Sequence, residues 1–221
     1  MSCRDFSFQY TVEGPEVEEI VSSIFHTVLF HRTLPTLDFK GGAVSYNSYL
    51  GTRDVDCENF ELAYVCVNSE KLISRVANAV NTFANNLRAE AVSAGGEARG
   101  TINLEFAIHR KGTWGLGSEP SVWERWTVAV CIKHIPPAER DHQRHPLEDQ
   151  LRSDLLSILE QVNSPSSYMP SLGSSQAETE HIVEFSMPDI SPYRFNINYA
   201  TNSNQLRLGV GAAARRILKY A

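Results

Sequence analysis

The sequence has few cysteines and no long apolar run. Cys3, Cys57, Cys66 and Cys131 form no Cys-X-X-Cys pair, and 221 residues is long for a disulfide scaffold. Cys66 and Cys131 lie in apolar segments, so we expect reduced, buried thiols. No apolar stretch approaches the roughly 20 residues that a membrane-spanning helix needs. The start MSCRDFSFQY lacks the pattern of a signal peptide, so we expect a cytoplasmic protein.

A recognisable catalytic, cofactor or metal motif is also lacking. Residues 209–214 match the dinucleotide form GxGxxA by chance, since only seven residues follow them. His142 and His145, with His134 nearby, lack the further converging ligands of a metal site. The sequence contains no nucleophile elbow and no phosphate-binding loop. We therefore predict no catalytic, cofactor-binding or metal-binding residues, although an enzyme of unrecognised type stays open.

Negative charge is missing from the last part of the sequence. The net charge is −6, which gives no general reason to expect nucleic-acid binding. A basic segment at the end of an acidic protein can dock an acidic partner or a membrane surface, and a solvated end is the alternative. No acidic residue follows Asp189, whereas the cations Arg194, Arg207, Arg215, Arg216 and Lys219 do.

Apolar periodicity predicts strands and three helices. The helices should begin at Pro15, after Ser69 and after Pro146, each with one apolar stripe. Asp54 and Asp56 are interpreted as part of a turn, and residues 164–175 as a mobile loop rich in Ser, Pro and Gly. Hairpins outnumber helical crossovers, which predicts an α+β fold with helices packed on a mainly antiparallel sheet. Strands are predicted at residues 6–12, 60–67, 102–108, 126–132, 182–187 and 193–199.

The third predicted helix offers a candidate interface residue. Leu156 lies about 180° from Leu147 at 100° per residue, so it points away from the stripe that should pack on the sheet. A helix that is buried all round is the alternative. The stripe itself consists of Leu147, Leu151, Leu155, Ile158 and Val162.

A tryptophan in the hairpin loop is the other candidate contact. Trp114 lies among glycines, whereas Trp123 and Trp126 belong to a strand and should be core residues. Tryptophan is favoured at binding hot spots because it brings a large apolar area with few rotatable bonds. The alternative is that the loop folds back and Trp114 fills a gap in its own domain.

Segments along nearly the whole chain resemble the autophagy-related protein 101 family, whose members are HORMA-domain subunits of the autophagy-initiating kinase complex. The carrying segments are TVEGPEVEEI, HTVLFHR, GTRDVDCENF, YVCV, NLEFAIHRKGTW, WERWTV, SPYRFNINY and ARRILKY. The resemblance implies one HORMA domain over residues 1–221, with three helices on one face of the sheet. Composition and turn residues further predict mobile loops near 109–120 and 164–178 and a short basic segment at 207–221.

The resemblance further implies a non-enzymatic scaffold that pairs with the HORMA domain of autophagy-related protein 13. Such a protein would be recruited to the phagophore assembly site and would bind downstream autophagy factors. The family carries an exposed Trp-Pro-Phe finger, and Trp114, Gly115 and Leu116 stand at that place here. The basic segment with Arg215 and Arg216 is a further candidate contact. An adaptor that traps a partner peptide with its C-terminal strands is another reading.

Overall fold

The computed structural model describes residues 2–40, 43–109 and 120–202. In these ranges no helix combines the length and the apolar character needed to cross a membrane. The elements in chain order are β1 (Arg4–Val12), a 3-10 turn (Gly14–Glu16), α1 (Val17–Phe30), β2 (Thr33–Pro35), β3 (Leu37–Lys40), β4 (Ala43–Tyr46), β5 (Thr52–Asp56), β6 (Ala63–Val67), α2 (Glu70–Ser93), β7 (Glu97–Ile108), β8 (Ser121–Lys133), α3 (Pro137–Asn163), α4 (Gln176–Thr179), β9 (Ile190–Pro192) and β10 (Phe195–Thr201).

The central sheet has the strand order β1-β8-β7-β10. Its middle is the long β7–β8 hairpin, and β10 pairs antiparallel with β7. Among the described strands, the one parallel pair joins β1 to β8, with α1 and α2 between them in sequence. Three two-stranded sheets, β2–β9, β3–β4 and β5–β6, complete the described strands. The architecture is the predicted α+β fold with a mainly antiparallel sheet.

The sheet has one apolar face and one polar face because side chains alternate along each strand. Tyr10, Ile102 and Val128 are buried on the apolar face, where α1 and α2 pack. On the opposite face Arg125 Nε lies 2.6 Å from Glu105 Oε1. The third helix, α3, packs against α1 beside the β1 edge. There the Tyr10 hydroxyl donates to Asp154 Oδ2 at 2.5 Å.

The start of α3 corrects the sequence prediction. The helix begins at Pro137, well before the predicted start after Pro146, which lies inside it. Proline lacks an amide N–H and disfavours a helix interior, so the sequence pattern suggested a helix start there. The preceding segment, however, is rich in good helix formers, and Pro137 suits the first turn of a helix. His142 and His145 therefore lie on a helix, exposed to solvent, and not in a loop.

The predicted strand at 182–187 is wrong. The amides of Ile182 and Val183 donate to the Thr179 carbonyl, so they are not available for a strand ladder, and only a single bridge joins Val183 to Tyr193. The strands here are β9 and β10 instead. As predicted, residues 164–175 contain neither helix nor strand.

Two local predictions also need correction, one for Asp54 and Asp56 and one for Cys131. Asp54 and Asp56 lie within β5, which pairs with β6, because the reversal falls later, where Cys57 N donates to Leu62 O. Cys66 is buried as predicted, whereas Cys131 is only half-buried. Its strand position places Cys131 on the polar face of the sheet.

Candidate functional site

An apolar groove lies between α1, α3 and the segment that leads into β6; we call it the α1–α3 groove. Its volume is about 570 Å³. Phe30 and Leu155 form part of its wall, and the exposed side chains of Val65, Leu156 and Leu159 surround its opening. Large apolar side chains that surround a concavity are typical of protein-docking surfaces.

The helical spacing of α3 explains why its leucines remain exposed. Leu151 and Ile158 are buried in the core on one side of the helix. Leu156 points away from that side and leaves 57% of its surface in solvent. The sequence prediction of an outward-pointing leucine is confirmed, and the alternative of a helix buried all round is wrong.

Charged groups lie beside the groove and tie its walls together. Arg152 donates to Glu148 Oε1 at 2.7 Å, one turn away on α3. Glu148 Oε2 accepts the backbone N–H of Glu61 at 3.2 Å, which fixes the start of the β6 segment against α3. The groove therefore has an apolar centre and a polar edge, the usual arrangement of a protein interface.

A histidine and a tyrosine form part of the groove wall and its support. His26 is buried, stacks on Tyr64 with ring centroids 5.9 Å apart, and has no partner for Nδ1 among the described residues. Burial lowers the pKa of His26 to about 4 and raises the pKa of Tyr64 to about 12. Both shifts move away from neutral pH, so neither group is placed for acid–base chemistry there.

A buried ion pair lies at the end of α1, next to the groove. Arg32 donates through Nε to Glu124 Oε1 at 3.0 Å and through Nη2 to Oε2 at 2.9 Å. Their side chains are 1% and 0% exposed. Trp126 Nε1 also donates to Glu124 Oε1 at 2.8 Å. This bidentate pair ties the end of α1 to strand β8.

A β-bulge explains why two consecutive residues of β8, Trp123 and Glu124, are both buried. The β7–β8 register shifts between Phe106 and Ala107, and Trp123 lies opposite no single residue of β7. Glu124 follows the two-residue alternation of Trp126 and Val128 on the apolar face, and the extra residue turns Trp123 inward as well. Sequence reasoning assigned both tryptophans to the core correctly but missed Glu124. A lone acid between two core tryptophans is the signal that could have identified it.

A second, larger groove of about 780 Å³ lies between the first half of α3 and the polar face of the sheet. Gln9, Thr101 and Ala129 form part of its lining, and His142 and Gln150 extend from α3. Within the described ranges, no group of three His, Cys, Asp or Glu side chains is arranged to hold a metal ion.

Most of the predicted contact residues lie outside the described ranges. Strands β7 and β8 are joined by the loop that carries Trp114, Gly115 and Leu116, and the description of this loop stops after residue 109 and resumes at residue 120. Arg215 and Arg216 follow the last described residue, Asn202. The structure therefore places only Leu156 among the predicted contacts.

Comparison with known proteins gives a consistent result. The family model for Autophagy-related protein 101 matches residues 9–176. Over 220 residues the chain is 31% identical to Autophagy-related protein 101 of Xenopus tropicalis and 30% identical to that of Homo sapiens, covering 99% of this chain and 98% of each relative. The relative of that name from Arabidopsis thaliana is 22% identical over 208 residues, 85% of this chain and 87% of its own. The chain therefore belongs to the autophagy-related protein 101 family.

Proposed function

We propose that this chain is a non-enzymatic scaffold of autophagy initiation that pairs with a second HORMA domain, that of autophagy-related protein 13. The pairing surface is the α1–α3 groove. The family name supports the assignment to autophagy, and the partner follows from the resemblance of the sequence to HORMA-domain subunits. The scaffold would act in the cytoplasm and at the phagophore assembly site.

The exposure of Leu156 is the observation that carries this proposal. Leu156 is 57% exposed although α3 packs on the core, so part of its apolar surface remains in water. Contact with a partner side chain would remove this apolar surface from water, which is favourable. Leu159 and Val65 extend the same apolar surface around the groove. An apolar centre with a charged edge fits a partner that supplies its own apolar helix face.

The variant Leu156→Asp tests this surface. A carboxylate at the centre of the interface would lose its water on binding, so we expect pairing to weaken by about 2 kcal/mol or more, or about 30-fold in Kd. Binding of the purified variant to the autophagy-related protein 13 HORMA domain would be measured by calorimetry. Circular dichroism should stay native, because the side chain is exposed in the unpaired chain.

Val92→Asp is the matched control. Val92 lies near the end of α2 with 83% of its surface exposed, and α2 contributes none of the described residues that line the groove. The substitution adds the same charge at a different place, so affinity should stay within about twofold. Equal losses in both variants, or unimpaired pairing by Leu156→Asp, would refute the proposed surface.

We further propose that the loop between β7 and β8 binds downstream autophagy factors through Trp114, Gly115 and Leu116. The loop begins where the two longest strands of the sheet end, so a contact there would be held on a rigid base. The basic segment with Arg215 and Arg216 would add contacts to an acidic partner surface.

A further inference from the structure

Ser167 lies between two arginine side chains at the end of the sheet. Its hydroxyl oxygen accepts a hydrogen bond from Arg4 Nη1 at 3.0 Å and another from Arg32 Nη2 at 3.2 Å. The serine is half-buried in the segment 164–175, which joins α3 to α4. Two guanidinium groups directed at one serine oxygen form an arrangement that suits an anion.

The local charge balance leaves positive charge facing this serine. Glu124 is the one carboxylate in contact with both arginines among the described residues, and Arg32 already occupies it through two short bonds. Arg4 reaches Glu124 only at 3.4 Å. Two cations therefore share one anion, and Arg4 remains 20% exposed, so it has room to move toward a new oxygen.

We propose that Ser167 is a phosphorylation site whose phosphate is held by Arg4. A protein serine kinase with ATP would carry out the step. The Ser167 hydroxyl oxygen bonds to the γ-phosphorus of ATP, the bond from that phosphorus to the bridging oxygen breaks, ADP leaves, and the hydroxyl proton passes to the kinase. The product carries a charge of about −1.5 to −2 at pH 7, which complements the excess positive charge.

The expected consequence is a stronger attachment of the segment 164–175 to the sheet. That segment already contacts the sheet end through Tyr168, whose ring packs edge-on to Trp123. The Tyr193 hydroxyl also donates to the Pro170 carbonyl at 3.3 Å. A phosphate at Ser167 adds charge-assisted bonds from Arg4 on β1, because each new phosphate oxygen is a strong acceptor.

Ser166 provides a control site in the same segment. Its hydroxyl oxygen lies 2.8 Å from the Ser164 hydroxyl oxygen, and among the described residues no arginine donates to it. Ser166 is exposed, so a phosphate there would be solvated. A phosphate at 166 adds the same charge one residue away without the contact to Arg4.

The experiment incorporates phosphoserine at position 167, or at 166, into the full chain by genetic-code expansion. Phosphate at 167 should raise the melting temperature by about 2–4 °C over the unmodified chain and slow hydrogen exchange in residues 164–175. Phosphate at 166 should change neither. Arg4→Gln should remove most of the rise at 167. A lower melting temperature, or a rise that persists in Arg4→Gln, would overturn the proposal.

Two measurements keep the test independent of the folding of Arg4→Gln. Phosphorus NMR should give a pKa for the phosphate at 167 at least about 0.5 below that at 166, since Arg4 favours the dianion. Equal values at the two positions would contradict the proposed contact. Mass spectrometry of the chain purified from its own cells should find phosphate on Ser167. Its absence from a fully covered peptide would exclude the modification.

Discussion

Removing one partner of the buried Arg32–Glu124 pair should destabilise the fold strongly. Arg32→Ala deletes both short bonds to Glu124 and leaves a carboxylate that is 0% exposed. The donors that remain for Glu124 among the described residues are Trp126 Nε1 and the distant Arg4 Nη1. Breaking a buried pair in this way costs about 3–5 kcal/mol. At about 2–4 °C per kcal/mol, the melting temperature should fall by about 6–20 °C.

The assay is urea unfolding followed by circular dichroism, with Arg125→Ala as the control. Like Arg32, Arg125 forms ion pairs, in its case with Glu105 and Asp5, but its side chain lies at the surface. Ion pairs at the surface contribute about 0–1 kcal/mol, so this control should unfold close to the parent chain. Similar losses for the two arginines would indicate that burial of the pair has no special role.

A double variant separates the unpaired charge from the lost bonds. Glu124→Gln removes the buried charge and keeps an oxygen that can accept from Trp126. We therefore expect Arg32→Ala with Glu124→Gln to be more stable than Arg32→Ala alone, although it carries one more substitution. If the second substitution lowers the free energy of unfolding further, the reasoning from an uncompensated charge is refuted.

Three other predictions concern the tryptophans of the core and the loop, the buried histidine, and the basic segment. Trp126→Ala should lower the free energy of unfolding by about 3–5 kcal/mol. Trp114→Ala should change it by no more than about 0.5 kcal/mol and should instead abolish recruitment of downstream factors in cells. A large loss of stability in the Trp114 variant would contradict the proposed contact. Burial, and then the charge of Arg53, lower the pKa of His26 from 6.5 to about 4. As the pH falls from 6.5 toward 4, the histidine is protonated in the unfolded chain before it is protonated in the folded one. The free energy of unfolding therefore falls over this pH range. The loss should reach roughly 3 kcal/mol, and urea titrations should find a flatter pH dependence in His26→Phe but not in the exposed control His142→Phe. Arg215→Glu with Arg216→Glu should reduce the amount of acidic partner that co-purifies without changing the melting temperature, and earlier melting would assign the two arginines a structural role.

Local periodicity was sufficient to predict the elements that carry most of the core. The apolar stripes of α1 and α2 and the alternation along β7 and β8 follow directly from 3.6-residue and two-residue periods. The outward direction of Leu156 followed from the same geometry. These features depend only on residues that are close together in the sequence, so they can be predicted from a single sequence.

Features that depend on distant contacts were not predictable in this way. The start of α3 was misplaced because Pro146 resembles a helix start, although the surrounding residues sustain the helix. The bulge at Trp123 changes the alternation in β8, and it is visible only once β7 is paired. Arg32 and Glu124 are 92 residues apart, so nothing in the local sequence of either residue identifies the other as its partner.

Contiguous apolar side chains, rather than exposure alone, favour docking of a partner at the α1–α3 groove. Val92 is more exposed than Leu156, yet an isolated apolar residue on a surface is ordinary in a soluble protein. Leu156, Leu159 and Val65 differ because they surround one cavity, so a single partner face can cover all three at once. The free energy gained on burial is roughly proportional to the apolar area removed from water. Because the three side chains share one cavity, a single partner surface can cover them, and the entropic cost of association is incurred only once. Leu159→Asp should therefore weaken pairing, as is expected for Leu156→Asp. A loss of affinity in Val92→Asp would instead favour a different pairing surface.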